Sequence, residues 1–340
     1  MSVSTYVARR LLLLFLVLFG IATITFFVAR VIPSDPAATY VGGLARKDQI
    51  ETAREKLGLN EPLPVQFGIY LRDLLTGDWG TSLVSKRPVL EDIAHFLPVS
   101  FQLVFLAMAV ASVVGFILGA LSAAKKGSVI DHGSRLAAVV GVSLPAFVIA
   151  LLLQVLFCHV VPLFPIAGKI QVAVADQYPI RTITGMDLLD ALLTANWSAF
   201  ASVLYYAVLP VLAVAAYPAG VIQRMTRATL TETLELEYVR MHRAMGLSRS
   251  SIVSRFAMKN ALGPVITTIG TTFAAALVGA FLVEIVFSYP GIGSYLVSGI
   301  MAMDYPVIVG TTLVVSAIYV CVNLLVDLCI AWLDHRVILQ

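Results

Sequence analysis

Residues 11–29 read LLLLFLVLFGIATITFFVA, a run without a single charged side chain. Such a run can cross a bilayer, because a spanning helix needs about 20 mostly apolar residues and satisfies its own backbone hydrogen bonds in hydrocarbon. Of the 340 residues, 59% are hydrophobic and 13% are charged, whereas charged residues make up about 25% of an average soluble domain. The sequence therefore predicts a membrane protein.

Six apolar runs are long enough to span. The first covers residues 10–31; it is too long for a cleaved signal sequence, and no small-residue cleavage site follows it. The others lie at 98–124, 135–161, 203–222, 264–287 and 306–330. We therefore predict an all-α protein with six transmembrane helices. Its parts are a first span (1–31), an extracytoplasmic helical cap (32–97), a five-span core (98–334) with an outer loop at 162–202 and a cytosolic loop at 223–260, and a tail (335–340).

The distribution of lysine and arginine predicts the orientation, because these residues are enriched in short cytosolic loops. With both termini in the cytosol, the loop 288–305 on the outside has no base, and the inside carries Arg9, Arg10, Lys125, Lys126, Arg135, Arg224, Arg227, Arg240, Arg243, Arg249, Arg255, Lys259 and Arg336. Long loops translocate largely regardless of charge, so the bases within 32–97 do not oppose this orientation. We therefore predict that both termini are cytosolic.

Weaker local patterns lie in the two outer segments. In 32–97, apolar spacing predicts one helix that contains Leu57 and ends at Gly58, and a second around Phe67 that ends near Gly77. In the outer loop, KIQVAVADQY (169–178) alternates like a short strand, and Thr184 with Asp187 fits a capping box.

Packing signals within the spans are modest. Gly115 and Gly119 in the second span allow two helices to approach closely. Pro145 in the third span, with Pro210 and Pro218 in the fourth, predicts breaks in the backbone hydrogen bonding of those helices.

Signals for enzymatic chemistry are missing from the sequence. There is no phosphate-binding GxxxxGK[ST], no HExxH and no GxSxG, and the histidines are scattered singly, so we expect neither catalysis nor a metal site. The formal charge of +3 follows from the cytosolic bases and gives no reason to expect a nucleic-acid partner. The three cysteines lie in or beside spans, so we expect no disulfide.

One charged segment interrupts this apolar chain: LELEYVRMHRAMGLSRSSIVSRF, residues 234–256. On a helical wheel, one narrow apolar stripe has His242 beside it and contains Leu234, Tyr238, Met241 and Met245. Gly246 can end this helix in a left-handed conformation, and Ser248 can cap the next one. Such an amphipathic helix can lie on lipid, pack on its own bundle or enter a partner's groove, and the pattern leaves these three open.

Residues 237–267, EYVRMHRAMGLSRSSIVSRFAMKNALGPVIT, closely resemble the signature cytoplasmic loop of ABC-importer permeases. In that loop a coupling helix docks on the ATPase subunit. Glu237, Ala244, Gly246 and Leu247 match its pattern, whereas Met245 stands where peptide-type permeases commonly have lysine.

Further stretches resemble the B-type permease of the oligopeptide, dipeptide and nickel importer family. They are RVIPSDPA (30–37), LGLNEPLPVQFGIYLRDLLTGDWGTSL (57–83), RPVLEDI (87–93), SLPAF (143–147) and VEIVFSYPGIGSYLVSGIMAMDYPVIVG (283–310). The resemblance covers nearly the whole chain. It implies a type I ABC importer permease fold in a prokaryotic cytoplasmic (inner) membrane.

The resemblance also implies partners and sites. The partners are a homologous second permease, two ATPase subunits that hold ATP and magnesium, an extracytoplasmic substrate-binding protein and membrane lipid. The coupling residues it implies are Glu237, Tyr238, Arg240, Met241, Arg243, Ala244, Met245, Gly246 and Leu247. Candidates for the pathway or its outer gate are Glu284, Tyr289, Pro290, Gly291 and Gly293.

The expected function is ATP-driven, binding-protein-dependent import of di- or oligopeptides, with this chain forming half of the pathway by alternating access. Nickel complexes and oligosaccharides are the alternative cargoes of the same family. A secondary carrier is a remote alternative. It would show inverted repeats or ionisable residues at the midplane, and we find neither pattern in the sequence. An intramembrane hydrolase would need a nucleophile with its base, or zinc ligands, within the spans.

Overall fold

The computed structural model describes residues 3–31, 46–56, 60–248 and 251–333. These residues are mostly helical, and the extended pairing among them is an isolated bridge between Thr81 and Pro88. The helices are α1 (Val3–Val31), α2 (Lys47–Lys56), α3 (Leu63–Thr76), α4 (Val89–Ala124), α5 (Val129–Ser143), α6 (Ala146–Gln154), α7 (Val172–Gln177), α8 (Asp187–Leu193), α9 (Trp197–Leu234), α10 (Glu237–Ala244), α11 (Met258–Val286), α12 (Ile292–Met301) and α13 (Tyr305–Leu333). A π-helical turn continues α6 over Val155–Val160, and another leads into α11 over Ile252–Ala257.

Among the described residues, five helices are long and apolar enough to cross a membrane, namely α1, α4, α9, α11 and α13. A sixth span is formed if α5 and the following Ala146–Val160 count together, and these two helices meet at a bend of 110°. The bend lies at Pro145, whose ring disfavours helical backbone at the preceding residue, and Leu144 is accordingly extended. The predicted all-helical membrane fold is thus confirmed, with the third span broken.

The prolines of the fourth span behave differently. Pro210 and Pro218 both lie inside α9, which runs without interruption from Trp197 to Leu234. The predicted loss of backbone hydrogen bonds at these prolines is therefore accommodated without ending the helix. Both prolines are buried against neighbouring helices, and such packing holds a helix continuous although a hydrogen bond is lost at each ring.

The chain divides into two compact units, and the first comprises Met1–Leu97 with Ile292–Cys321. In this unit α1 packs on α3: Ala22, Val309 and Leu313 form a buried cluster, joined by Tyr70 and Trp79 among others. Helix α3 ends at Gly77, which has φ +84 and donates its backbone N–H to Asp73 and Leu74 carbonyls. The second loop helix and its glycine end are therefore as predicted, whereas the predicted end of the first, at Gly58, lies outside the described residues.

Two buried carboxylates hold the loop after α3 within this unit. Asp304 accepts hydrogen bonds from the Ser82 hydroxyl (2.8 Å) and the Leu83 backbone N–H (2.6 Å). Asp92 accepts hydrogen bonds from the hydroxyls of Ser85 and Tyr295. Each fully buried acid thus joins this loop or α4 to the 295–304 region.

The second unit comprises Pro98–Gly291 with Val322–Gln340. Its helices approach closely at glycines: a Cβ on Gly115 would lie 2.7 Å from the Ala219 carbonyl oxygen, and one on Gly119 would lie 2.7 Å from that of Gln223. The predicted close approach at this Gly-x-x-x-Gly pair is confirmed, and the partner is α9. Helix α5 packs on α9 in the same way, at Gly141.

Two local predictions in the outer loop are wrong. The stretch predicted as a strand contains α7, Val172–Gln177, because valines that alternate over so short a run also fit one helical turn. The capping box is absent: the residue before α8 is Met186, with no side-chain cap. Asp190 instead accepts hydrogen bonds from the Ile183 and Gly185 backbone N–H groups, and Thr184 donates to it from both its backbone and its hydroxyl.

Asp190 lies outside the spans, and its pKa reflects these contacts. Burial raises the pKa of this carboxyl, but the hydrogen bonds from Thr184, Ile183 and Gly185 outweigh burial and lower the pKa below its ordinary value. The ionised Asp190 carboxylate therefore fixes the loop before α8 through these hydrogen bonds. The predicted boundaries of the cap, core and tail stay predictions, and the tail at 335–340 lies outside the described residues.

Candidate functional site

Helix α10 is a separate short helix, set off from α9 by a tight turn. The chain leaves the helical conformation at Leu236, which has φ −68 and ψ 151, and α10 begins at Glu237. Its charges suit the helix dipole, with Glu237 in the first turn and Arg243 in the last.

One face of α10 is held by the protein. Val239 is fully buried. The His242 ring packs against Phe256 with 4.1 Å between ring centroids, and the Asn260 side-chain amide donates to the Tyr238 hydroxyl (2.8 Å). These contacts join α10 to the start of α11 and to the π-helical turn that leads into it.

The predicted apolar stripe is partly wrong. Leu234 belongs to α9, because the turn at 235–236 separates it from α10. Met241 and Met245 are 51% and 67% exposed, so the buried side of the helix is centred on Val239 rather than on the methionines. Val239 could have been found from its spacing, since it lies three residues before His242 and next to Tyr238.

The opposite face of α10 and the turn after it are open. Eight of the predicted coupling residues are exposed: Glu237, Arg240, Met241, Arg243, Ala244, Met245, Gly246 and Leu247. Methionine is a flexible, polarizable side chain that adapts to a partner surface. Exposed methionines among fixed charges therefore make a surface suited to another protein.

Gly246 ends α10 as predicted. It has φ +82, its N–H donates to the Arg243 carbonyl (3.1 Å), and the Leu247 N–H donates to the His242 carbonyl (3.2 Å). This pair of bonds is the Schellman arrangement, which requires a left-handed residue at this position. The Ser248 hydroxyl then accepts a hydrogen bond from the Ser251 N–H (3.3 Å), so the predicted cap of the next helix is also present.

The helices behind α10 are joined by a buried ion pair. Asp131 of α5 accepts two hydrogen bonds from Arg227 of α9, at 2.7 and 3.2 Å. The Ser122 hydroxyl of α4 (2.5 Å) and the Gly127 backbone N–H (2.9 Å) complete its partners. Three helices are thus fixed to one another close to where α9 leads into α10.

A cavity of about 290 Å³ lies between α10 and the ends of α4 and α9. Its lining residues are mostly charged or polar: Lys126, Thr231, Glu235, Arg240 and Arg243, with Ala123 and Leu234. Lys126 and Glu235 form an exposed ion pair across it (3.5 Å). Such exposed pairs contribute little to stability, so these side chains are free to rearrange against a partner.

The outer candidates gather at the other end of α11. Glu284 is fully buried and accepts a hydrogen bond from the Ser100 hydroxyl (2.5 Å). Gly291 lies so close that a Cβ there would overlap both the Glu284 carboxyl group and Ser100. Tyr289 is also fully buried, and its hydroxyl accepts from the Gln102 side-chain amide (3.2 Å).

The rest of this cluster ties the outer loop to α4. The Gln102 side-chain oxygen Oε1 accepts from the Leu188 backbone N–H (2.6 Å), which fixes the start of α8. Burial raises the pKa of Tyr289 more than its bond with Gln102 lowers it, so the phenol is neutral at ordinary pH. Gly293 is buried as well, and Pro290 is half-buried.

The structure therefore encloses the outer candidates, while it exposes most of the coupling candidates. Sequence reasoning missed Ser100 and Gln102, which contact Glu284 and Tyr289. A signal was available, because both polar residues lie in the apolar run PVSFQLVF (98–105) of a span. Whether Glu284 and its neighbours line the pathway stays a prediction.

Comparisons with known proteins find similar membrane components of transport systems over nearly the whole chain. Residues 115–339 match the family described as binding-protein-dependent transport system inner membrane component, and residues 3–104 match the N-terminal family of such membrane components. The chain is 39% identical to the dipeptide transport system permease protein DppB of Alkalihalophilus pseudofirmus, over 98% of each chain. It is 40% identical to the probable D,D-dipeptide transport system permease protein DdpB of Escherichia coli, over 95% of this chain and 94% of that protein.

A third relative, the di/tripeptide transport system permease protein DppB of Pseudomonas aeruginosa, is 35% identical over 98% of each chain. These matches cover the spans, helix α10 and the cluster around Glu284 together. The chain belongs to the family of inner membrane components of binding-protein-dependent transport systems.

Proposed function

We propose that this chain is a permease subunit of an ATP-driven importer for di- or oligopeptides. The observation that carries the proposal is the two-sided character of α10. One side is held by Val239, Tyr238 and His242, while Met241 and Met245 face solvent. A helix anchored to its own chain and open on the other side suits contact with a second protein.

In this proposal α10 is the coupling helix, seated on an ATPase subunit. Movement of the ATPase pushes α10, and the contacts of Tyr238 and His242 pass the displacement to α11 through Asn260 and Phe256. Coupling free energies between two sites are typically 1–3 kcal/mol. A displacement of α10 transmits such an energy to α11 only if the contacts between the two helices hold while α10 moves. The Asp131–Arg227 ion pair supplies stiffness behind it.

The partners and the division of labour follow from the family. A second, homologous permease completes the pathway, two ATPases bind and hydrolyse ATP with magnesium, and an extracytoplasmic protein delivers the cargo. This chain is non-catalytic, in keeping with the missing phosphate-binding motif. Both termini and α10 face the cytosol, as the lysine and arginine distribution predicts.

The cargo is proposed from the relatives, whose printed names specify dipeptide, D,D-dipeptide and di/tripeptide transport. Nickel complexes and oligosaccharides remain the alternatives. The outer cluster is the proposed gate. Opening of this gate would separate Tyr289 from Gln102 and Glu284 from Ser100, pairs that are hydrogen-bonded in this structure.

A substitution at Met241 tests the coupling surface. Met241→Asp places a charge in the proposed interface without disturbing the buried side of α10, so we expect a loss of ATPase capture when the complex is purified from detergent. Met301→Asp is the matched control, because Met301 is 81% exposed on α12 and lies outside the proposed surface. Undiminished capture and peptide-stimulated ATP hydrolysis by Met241→Asp would show that α10 has another role.

A further inference from the structure

The depth of helix α3 can be read from the spans on which it packs. The Phe67 ring of α3 contacts Phe19 and Phe26 of α1, with 6.1 and 5.1 Å between centroids. The apolar span in α1 is Ala8–Phe27, so Phe19 lies about 12 Å inside its end, at 1.5 Å per residue. The Tyr70 and Thr25 hydroxyls, 3.2 Å apart, make another contact within the same span.

A second span gives an independent depth. The buried cluster beneath α3 includes Val309 and Leu313 of α13, packed against Leu71 and Leu74. The span in α13 begins at Tyr305, which places these two residues about 6 and 12 Å inside its end. The apolar spans of α1 and α13 both extend beyond the residues that α3 contacts. The inner face of α3 therefore lies at the depth of these spans and not beyond their ends.

The outward face of α3 is a stripe formed by Val65, Gly68, Arg72 and Leu75, all of them exposed. Leu75 is 86% exposed and Val65 is 46% exposed. Arg72 pairs with Asp73 at 2.8 Å on the surface. Such a charged pair is costly in the middle of a bilayer but suits the headgroup region. Interfacial helices characteristically lie about 5–10 Å into the boundary between headgroups and acyl chains.

We propose that α3 lies in the membrane interface, with this outward stripe against lipid. The helix is then part of the membrane-embedded surface rather than of a cap in water. Leu75 and Val65 contact acyl chains, while Arg72 reaches the lipid phosphates. The exposed apolar side chains of α1, such as Phe19 and Phe27, continue the same lipid-facing surface.

Depth-dependent fluorescence quenching tests the placement. Cysteines at Leu75, at Leu16 in the middle of α1 and at exposed Glu51 in the polar helix α2 are introduced singly after Cys158, Cys321 and Cys329 are replaced by alanine. The full-length chain, with the subunits that co-purify, is labelled with an environment-sensitive dye. It is reconstituted in phosphatidylcholine vesicles that carry bromine at shallow or deep acyl positions.

We expect the Leu75 label to lose more fluorescence with shallow than with deep bromines, the Leu16 label to show the reverse, and the Glu51 label to respond to neither. A Leu75 label quenched only by aqueous iodide would place α3 in water and overturn the proposal. A Leu75 label shielded from both bromolipid and iodide would show that a protein partner covers it, and would also overturn the proposal. None of these results depends on ATP hydrolysis or on the cargo, so they test α3 separately from the importer function.

Discussion

The two ends of α11 use the same kinds of residues in opposite ways. Near its start, Glu237 is exposed and Tyr238 is half-buried at the surface of α10. Near its end, Glu284 and Tyr289 are fully buried and hydrogen-bonded within the protein. With 29 residues, α11 itself is about 44 Å long, so one rigid element separates an open surface from a closed cluster.

The glycines of the two regions differ as clearly. Gly246 is needed for its backbone, since it has φ +82 and open space around the position of a Cβ. Gly291 is needed for its missing side chain, because a Cβ there would overlap the Glu284 carboxyl group and Ser100. The surface of α10 is therefore left open by the chain itself, whereas the cluster around Glu284 is satisfied by contacts within the chain.

The largest expected effect tests the support behind the inner region. Arg227→Met leaves the Asp131 carboxylate buried without its cation, which we expect to cost about 3 kcal/mol, the low end for a broken buried pair because Arg227 is partly exposed. The melting midpoint of the purified complex should fall. Arg224→Met, an exposed arginine on the same helix, should leave the midpoint nearly unchanged. Equal melting of the two variants would show that the ion pair does not brace α10.

The next effect probes the outer region. Gly291→Ala forces the added methyl group against Glu284 and Ser100, and overpacking of this kind should cost about 2–3 kcal/mol. Gly263→Ala is the matched control, because a Cβ on Gly263 meets nothing within 4 Å and alanine favours the helix there. We expect lower thermal stability only for Gly291→Ala. A midpoint as high as that of the control would mean that the cluster opens at little cost.

Sequence reasoning succeeded where the cause is local. Hydropathy predicted the spans, because each spanning helix must satisfy its own backbone in lipid regardless of its neighbours. Gly77, Gly246 and Ser248 were predicted at helix ends, because turn and cap geometry depends on one or two residues. The orientation and the pathway residues remain predictions from charge and resemblance.

The failures concern choices that tertiary contacts decide. Ser100 and Glu284 are separated by 184 positions, so no local pattern pairs them. Asp190, rather than Asp187, receives the hydrogen bonds of 183–185, because the loop folds back over the helix instead of capping its first turn. The apolar stripe was misplaced because a turn at 235–236 separates Leu234 from α10. The spacing of apolar residues assumes one continuous helix and does not reveal so short a turn.

The smallest change in stability should give the sharpest functional result. Gly246→Val puts a β-branched residue where the chain has φ +82, at a cost of about 1 kcal/mol or slightly more. This cost is too small to unfold the bundle, so pairing with the second permease should persist. The Schellman bonds of Gly246 and Leu247 would weaken, and the turn that sets the direction of α10 would move.

Gly77→Val is the matched control for that substitution. Gly77 has φ +84, ends α3 and also has nothing within 4 Å of a Cβ, so it carries the same backbone strain at a helix end remote in sequence from α10. If α10 is a lever on an ATPase, Gly246→Val should lose ATPase docking, or hydrolyse ATP without accumulating peptide in proteoliposomes, while Gly77→Val keeps its coupling. Because both variants bear equal strain, a difference in coupling between them cannot come from lost stability. If both variants couple ATP hydrolysis to peptide uptake as well as the unmodified protein does, α10 is only a surface helix. The contrast between the two ends of α11 would then have no functional meaning.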